Sequence, residues 1–151
     1  MPQIESSFKR DANGVPIVNE GLIASKAITY VASTTGATGA VTLFTVTGVV
    51  MVRVFGVCGL TLEGAATLEV GISGATAVIL AQLANATVLA TDEIYTDATP
   101  TTKVEAMPSA LIIGNGQDII QTIGSTALTA GQLTYYCLWN PISVDGDVKA
   151  T

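Results

Sequence analysis

Residues 41–72, VTLFTVTGVVMVRVFGVCGLTLEGAATLEVGI, hold the densest run of β-branched and aromatic residues in the chain. Such side chains lose rotamer freedom in a helix and pack well on a pleated surface, so this run predicts the middle of a β-sheet. From residue 49 onward one alternate set is Val50, Val52, Val54 and Cys58, and the other is Val49, Met51, Arg53, Phe55 and Val57. Both sets are mostly apolar, which predicts a strand covered on two faces. The next segment alternates cleanly, with Ala66, Leu68, Val70 and Ile72 set against Thr67, Glu69, Gly71 and Ser73, as expected of a strand with one core face and one wet face.

Strand signals continue on either side of this centre. Residues 27–32 are strand-like, and residues 41–46 are expected to pair with the run from Val49 across a tight Thr47-Gly48 hairpin. Gly56 and Gly59 suggest a bulge or bend. Ser73-Gly74 turns the chain into ATAVILAQLA at 75–84, which fits a short helix or a strand and is read as a strand from its neighbours. Residues 85–91 read as a loop or weak strand, residues 101–106 alternate, and Gly114-Asn115-Gly116 marks a turn. Residues 118–123 and 132–139 then read as strands joined by a loop of small residues. The whole pattern predicts an all-β chain: a β-sandwich or jelly-roll-like single domain with an extended N-terminal arm. Its expected divisions are an arm at 1–25, a body at 26–144 and a C-terminal tail at 145–151. The arm carries Asp11-Ala12-Asn13-Gly14 as a turn signal and Pro16 as a breaker, yet Ile4, Phe8, Val15, Ile17, Val18, Leu22 and Ile23 are too many apolar residues for a free tail. It is therefore expected to pack on the body or on a neighbouring subunit.

Composition narrows the function. A chain of 151 residues is one domain by length and buries roughly two-thirds of its unfolded surface without staples. Only 12% of its residues are charged, too few to cover the outside of a monomer in the usual way, so an oligomer or assembly component is expected. The net charge of −6 and the scattering of the cations argue against phosphate contacts and nucleic acid. Residues 1–14 lack the apolar core of a signal peptide, and residues 49–60 are too short for a membrane span and contain Arg53. Synthesis in the cytoplasm, with no membrane partner, follows as the expectation. Cys58 and Cys137 have neither CxxC spacing nor a histidine to work with, and are read as buried free thiols.

No catalytic signature emerges, and the chain is not expected to be an enzyme. Without histidine there is no Ser-His-Asp or Cys-His arrangement. Asp92, Glu93 and Asp97 gather oxygens as a calcium site would, but without EF-hand spacing they read as solvated loop carboxylates, and Asp145-Gly146-Asp147 is a weaker case. Gly114-Asn115-Gly116 lacks the Lys-Ser/Thr of a phosphate loop. Of the clustered aromatics, Tyr135 and Trp139 fall on one side of their strand and Tyr136 on the other, with core packing as the expected use. No metal or cofactor is implied.

The segments EVGISGATA at 69–77, DEIY at 92–95, DATP at 97–100 and AGQLTYYCLWNPIS at 130–143 resemble small virion proteins of tailed bacteriophages, in particular capsid decoration, or cement, proteins. The resemblance covers roughly residues 56–148, and its motifs are packing and turn residues. It implies a homo-oligomer, often a trimer, that sits on the outside of an icosahedral head and clamps the major capsid protein, with the virion surface as its location. The arm then becomes the expected attachment element, with Phe8, Lys9 and Arg10 as the residues that would contact the capsid. A tail or neck component, or a host- or glycan-binding virion module, is the alternative.

Overall fold

The computed structural model describes residues 21–151 apart from residue 115. Ten strands carry the described residues: β1 (Leu22–Thr29), β2 (Gly39–Thr47), β3 (Val50–Glu63), β4 (Thr67–Ile72), β5 (Ala75–Leu83), β6 (Ile94–Tyr95), β7 (Leu111–Ile113), β8 (Ile119–Gly124), β9 (Ala130–Pro141) and β10 (Asp147–Ala150). They form two five-stranded antiparallel sheets, one ordered β1-β9-β3-β6 with β7 also on β3, the other ordered β10-β2-β8-β4-β5. The chain is thus an all-β single domain with a sandwich-like core between the sheets, as the alternation predicts.

The pairings are nested around the Ser73–Gly74 turn. β4 pairs β5, β3 pairs β6 and β7, β2 pairs β8, and β1 pairs β9. Folding this ribbon over itself then brings β3 against β9 and β4 against β8. Gly74 takes φ +83° at the apex of the ribbon, a conformation that a side chain resists.

This winding overturns the expected hairpin at Thr47-Gly48. β2 and β3 are in different sheets, and the turn carries the chain from one to the other. Gly48 is needed there for two reasons: its φ is +62°, and a Cβ would collide with Ser143 and Asp145. β8 and β9 are the strands expected at 118–123 and 132–139, and the loop between them, residues 125–129, crosses from one sheet to the other. The pairing of β3 with β9 shifts register between Cys58 and Leu60, at Gly59 as expected, and again between Leu60 and Glu63; Gly56 stays in register and leaves room for Leu133 and Tyr95.

Three boundaries also differ. β1 begins at Leu22, so the last residues assigned to the arm belong to the body. The segment read as a tail supplies β10, which pairs Val148 with Val46 and buries it; an alternation of four residues is too short to register in the sequence. Residues 101–106 form no strand beyond an isolated Ile94–Thr101 bridge. Residues 85–91 are a loop, one of the two forms expected, with a 3₁₀ turn, Ala86–Val88, whose Thr87 amide donates to the Asn85 side chain at 3.1 Å.

The core is mostly apolar, and two of its polar points bridge the sheets. Tyr30 from the β1 end and Tyr135 from β9 reach across the sandwich, and both hydroxyls donate to Gln121 Oε1 on β8, at 2.9 and 3.0 Å. Tyr95 on β6 does the same with main chain, donating toward Leu68 O and Ala81 O at 3.1 and 2.7 Å. All of these side chains are essentially inaccessible to water, so each hydrogen bond replaces solvation the group has lost. They tie opposite sheets together at fixed points. Gln121→Leu, which keeps the volume but leaves two buried hydroxyls without their acceptor, is expected to lower stability by about 2–5 kcal/mol in urea denaturation. Adding Tyr30→Phe and Tyr135→Phe to that variant should recover part of the loss.

Candidate protein-contact face

Alternation along β3 and β9 decides what lies on the outside of the first sheet. Val52, Val54 and Cys58 face the core beside Trp139, Cys137 and Leu133, so Met51, Arg53, Phe55 and Val57 must face outward beside Asn140, Leu138, Tyr136 and Thr134. No second layer covers them within the described residues. The expectation of a strand covered on both faces is therefore corrected: β3 has one buried face and one half-exposed apolar face. At its centre Phe55 stacks on Tyr136, with ring centroids 5.3 Å apart and planes inclined by 20°. Such cross-strand aromatic pairs add about 0.5–1.5 kcal/mol beyond area burial. The face widens at both sides through Ile23 on β1, opposite Leu138, and Ile112 on β7, opposite Met51, which are 67% and 70% exposed.

Arg53 is exposed in the middle of this face and makes no ion pair among the described residues. The loop after β6 raises a wall at one side and leaves a pocket of about 180 Å³ lined by Phe55, Ile94, Thr96, Glu105, Ala106 and Met107. Glu105 supplies its polar element: Oε2 accepts from the Thr96 hydroxyl at 3.3 Å, while Oε1 is buried with no hydrogen-bond partner among the described residues. An apolar floor with one carboxylate oxygen to spare suits an inserted side chain that ends in a donor.

The residues singled out in the sequence fall elsewhere. Phe8, Lys9 and Arg10 lie outside the described residues. The acidic triplet does not converge. Glu93 accepts from the Ala90 amide at 2.9 Å, and Asp97 accepts from the amide and hydroxyl of Thr99 at 2.6 and 2.8 Å, which holds its carboxyl below the usual range chiefly through the backbone bond. Asp145 accepts from the Ser143 hydroxyl at 2.6 Å, and Asp147 pairs with Lys149 at 3.0 Å. These carboxylates build turns and an edge. Among the described residues no group of three or more Cys, Asp or Glu side chains could hold a metal, and no helix is long and apolar enough to cross a membrane. Tyr135 and Trp139 are in the core, whereas Tyr136 belongs to the outer face. Cross-strand partners such as Phe55 and Tyr136, and the loop position of Glu105, depend on register between distant segments, for which the sequence carries no local signal.

Comparison with family models, with curated proteins and with solved structures returned no match.

Cys58 and Cys137 are free and buried on the inner side of the first sheet. Burial pushes the Cys137 thiol up to about 12, and burial together with the Glu93 charge pushes Cys58 up to about 11. Burial also raises the Tyr30, Tyr95 and Tyr135 hydroxyls well above their ordinary range. All five groups favour the protonated form in the folded chain, so the stability they confer is complete below the ordinary thiol range and is lost as the pH climbs through the raised values. The melting temperature is expected to fall progressively above about pH 8.5. At pH 8 a thiol reagent should leave the native chain unmodified and label both cysteines once it is denatured.

Proposed function

We propose that this chain is a structural virion protein that decorates and stabilises a bacteriophage capsid by binding the major capsid protein, with no catalytic step, cofactor, nucleic acid or membrane involved. The observation that carries the reading is the outer face of the β1-β9-β3-β6 sheet, apolar around the Phe55–Tyr136 pair and uncovered within the described residues. A monomer in water seldom leaves so continuous an apolar surface open, and a surface with aromatics at its centre and one arginine has the composition of a protein-binding hot spot. The resemblance of residues 56–148 to decoration proteins supplies the partner. We read the nested pairing as a jelly roll: with β7 and β10 set aside, the orders β1-β9-β3-β6 and β2-β8-β4-β5 are those of one antiparallel ribbon rolled into two sheets.

On this reading the mechanism is mechanical. Each contact of roughly 1,000 Å² or more adds modest affinity, and repetition over the shell multiplies it. The arm adds a second attachment through Phe8, Lys9 and Arg10. It precedes β1, so the cut that tests it removes residues 1–20 and leaves the strand whole. Sedimentation with empty capsids measures both elements. Phe55→Asp is expected to weaken capsid binding at least about tenfold while the far-ultraviolet dichroism stays that of the parent, and the truncated chain is expected to fold and fail to bind. Parental occupancy by both variants overturns the assignment.

A further inference from the structure

A carboxylate oxygen taken out of water needs a donor in place of the solvent it has lost, and one left without a donor is a cost that an incoming group can relieve. Glu105 meets half of that requirement. It sits on the loop after β6, where Oε2 accepts from the Thr96 hydroxyl at 3.3 Å while Oε1 is buried with no hydrogen-bond partner among the described residues. Two cations are close by in the fold, Lys103 on the same loop and Arg53 on β3. Both are exposed, and neither makes an ion pair among the described residues.

The loop that carries Glu105 is held at several points. The Ile94 amide donates to the Thr101 carbonyl at 2.8 Å, Asp97 accepts from the amide and hydroxyl of Thr99, and the Thr101 hydroxyl donates to the Val104 carbonyl at 3.3 Å. The pocket of about 180 Å³ between this loop and β3 is therefore formed before anything enters it. Its make-up specifies the occupant. Walls of Phe55, Ile94, Ala106 and Met107 favour an aliphatic stem. A desolvated carboxylate calls for positive charge at the tip of that stem in preference to a neutral hydroxyl. With Oε2 already engaged by Thr96, one oxygen is left as acceptor, which suits the point donor of an ammonium; the planar fork of a guanidinium is matched to both oxygens of a carboxylate.

We propose that this pocket is the receptor for a lysine side chain of the capsid partner, its aliphatic stem lying against Phe55 and Met107 and its ammonium donating to Glu105 Oε1. The inference rests on the capsid-binding reading and names the chemistry by which this part of the face meets its partner. The net charge of −6 draws such a cationic group in. The same charge turns away a second copy of the chain, which has only six basic residues to offer.

Two measurements on the full chain test this, one of them without capsids. n-Butylammonium reproduces the lysine side chain from Cβ outward. Titrated into the protein and followed by NMR through the Met107 methyl signal, it is expected to give a saturable shift. n-Butanol and N-butylguanidinium should bind at least about tenfold more weakly, and Glu105→Gln, folded by circular dichroism and melting temperature, should remove the response. In sedimentation with empty capsids Glu105→Gln is expected to bind at least about tenfold more weakly than the parent. Acetylation of the capsid lysines should weaken the parent by a similar factor and the variant much less. A parent chain that does not sediment with capsids overturns the capsid reading and, with it, the source of the lysine. Parental capsid binding by Glu105→Gln overturns this inference alone. So does the lack of a response to butylammonium, a response that Glu105→Gln leaves unchanged, or one that emerges only after Lys9→Gln, which would make the chain's own arm the occupant.

Discussion

Both sheets depend on β3 lying against β9. The two strands run antiparallel from Val50 opposite Pro141 to Glu63 opposite Ala130, and every other strand of the first sheet is attached to one of them. β1 attaches to the far side of β9, while β6 and β7 attach to the far side of β3. The inner residues of this pair, Val52, Val54 and Cys58 on one strand and Leu133, Tyr135 and Cys137 on the other, form the floor on which the second sheet packs. Because the partners are so far apart in the chain, closing their loop costs substantial entropy, which the apolar burial between the sheets must offset.

That separation explains what the sequence makes legible and what it hides. Alternation is local, so the existence of most strands and the Ser73–Gly74 turn follow from reading the chain a few residues at a time. Partnership is not local. A glycine after Thr47 looks the same whether it closes a hairpin or sends the chain into the other sheet, and only the crowding by Ser143 and Asp145 reveals which. The apolar outward set of β3 misleads for a related reason: Met51, Phe55 and Val57 are what a doubly covered strand would carry, yet within the described residues nothing lies over them. The short β10 was hidden because Val148 is the only side chain in it that the core buries.

The low charge of the chain has a physical counterpart in these surfaces. Inside, the buried polar side chains are a few tyrosine hydroxyls, Gln121, Glu69 and the cysteine thiols, most of them held by hydrogen bonds between elements. Outside, the low charge leaves an aromatic sheet face around Phe55 and Tyr136.

The nested pairing also bears on the order in which the chain can acquire structure as it leaves the ribosome. β1, β2 and β3 emerge before any of their ribbon partners exist, and the first ribbon contact available to the nascent chain is β4 with β5. From there the ribbon can only lengthen outward, β3 waiting for β6 and β7, β2 for β8, and β1 for β9. Among the described residues the first strand made, β1, is among the last to be paired, so for most of its synthesis the chain carries unsatisfied strands of the kind that cellular holdases bind.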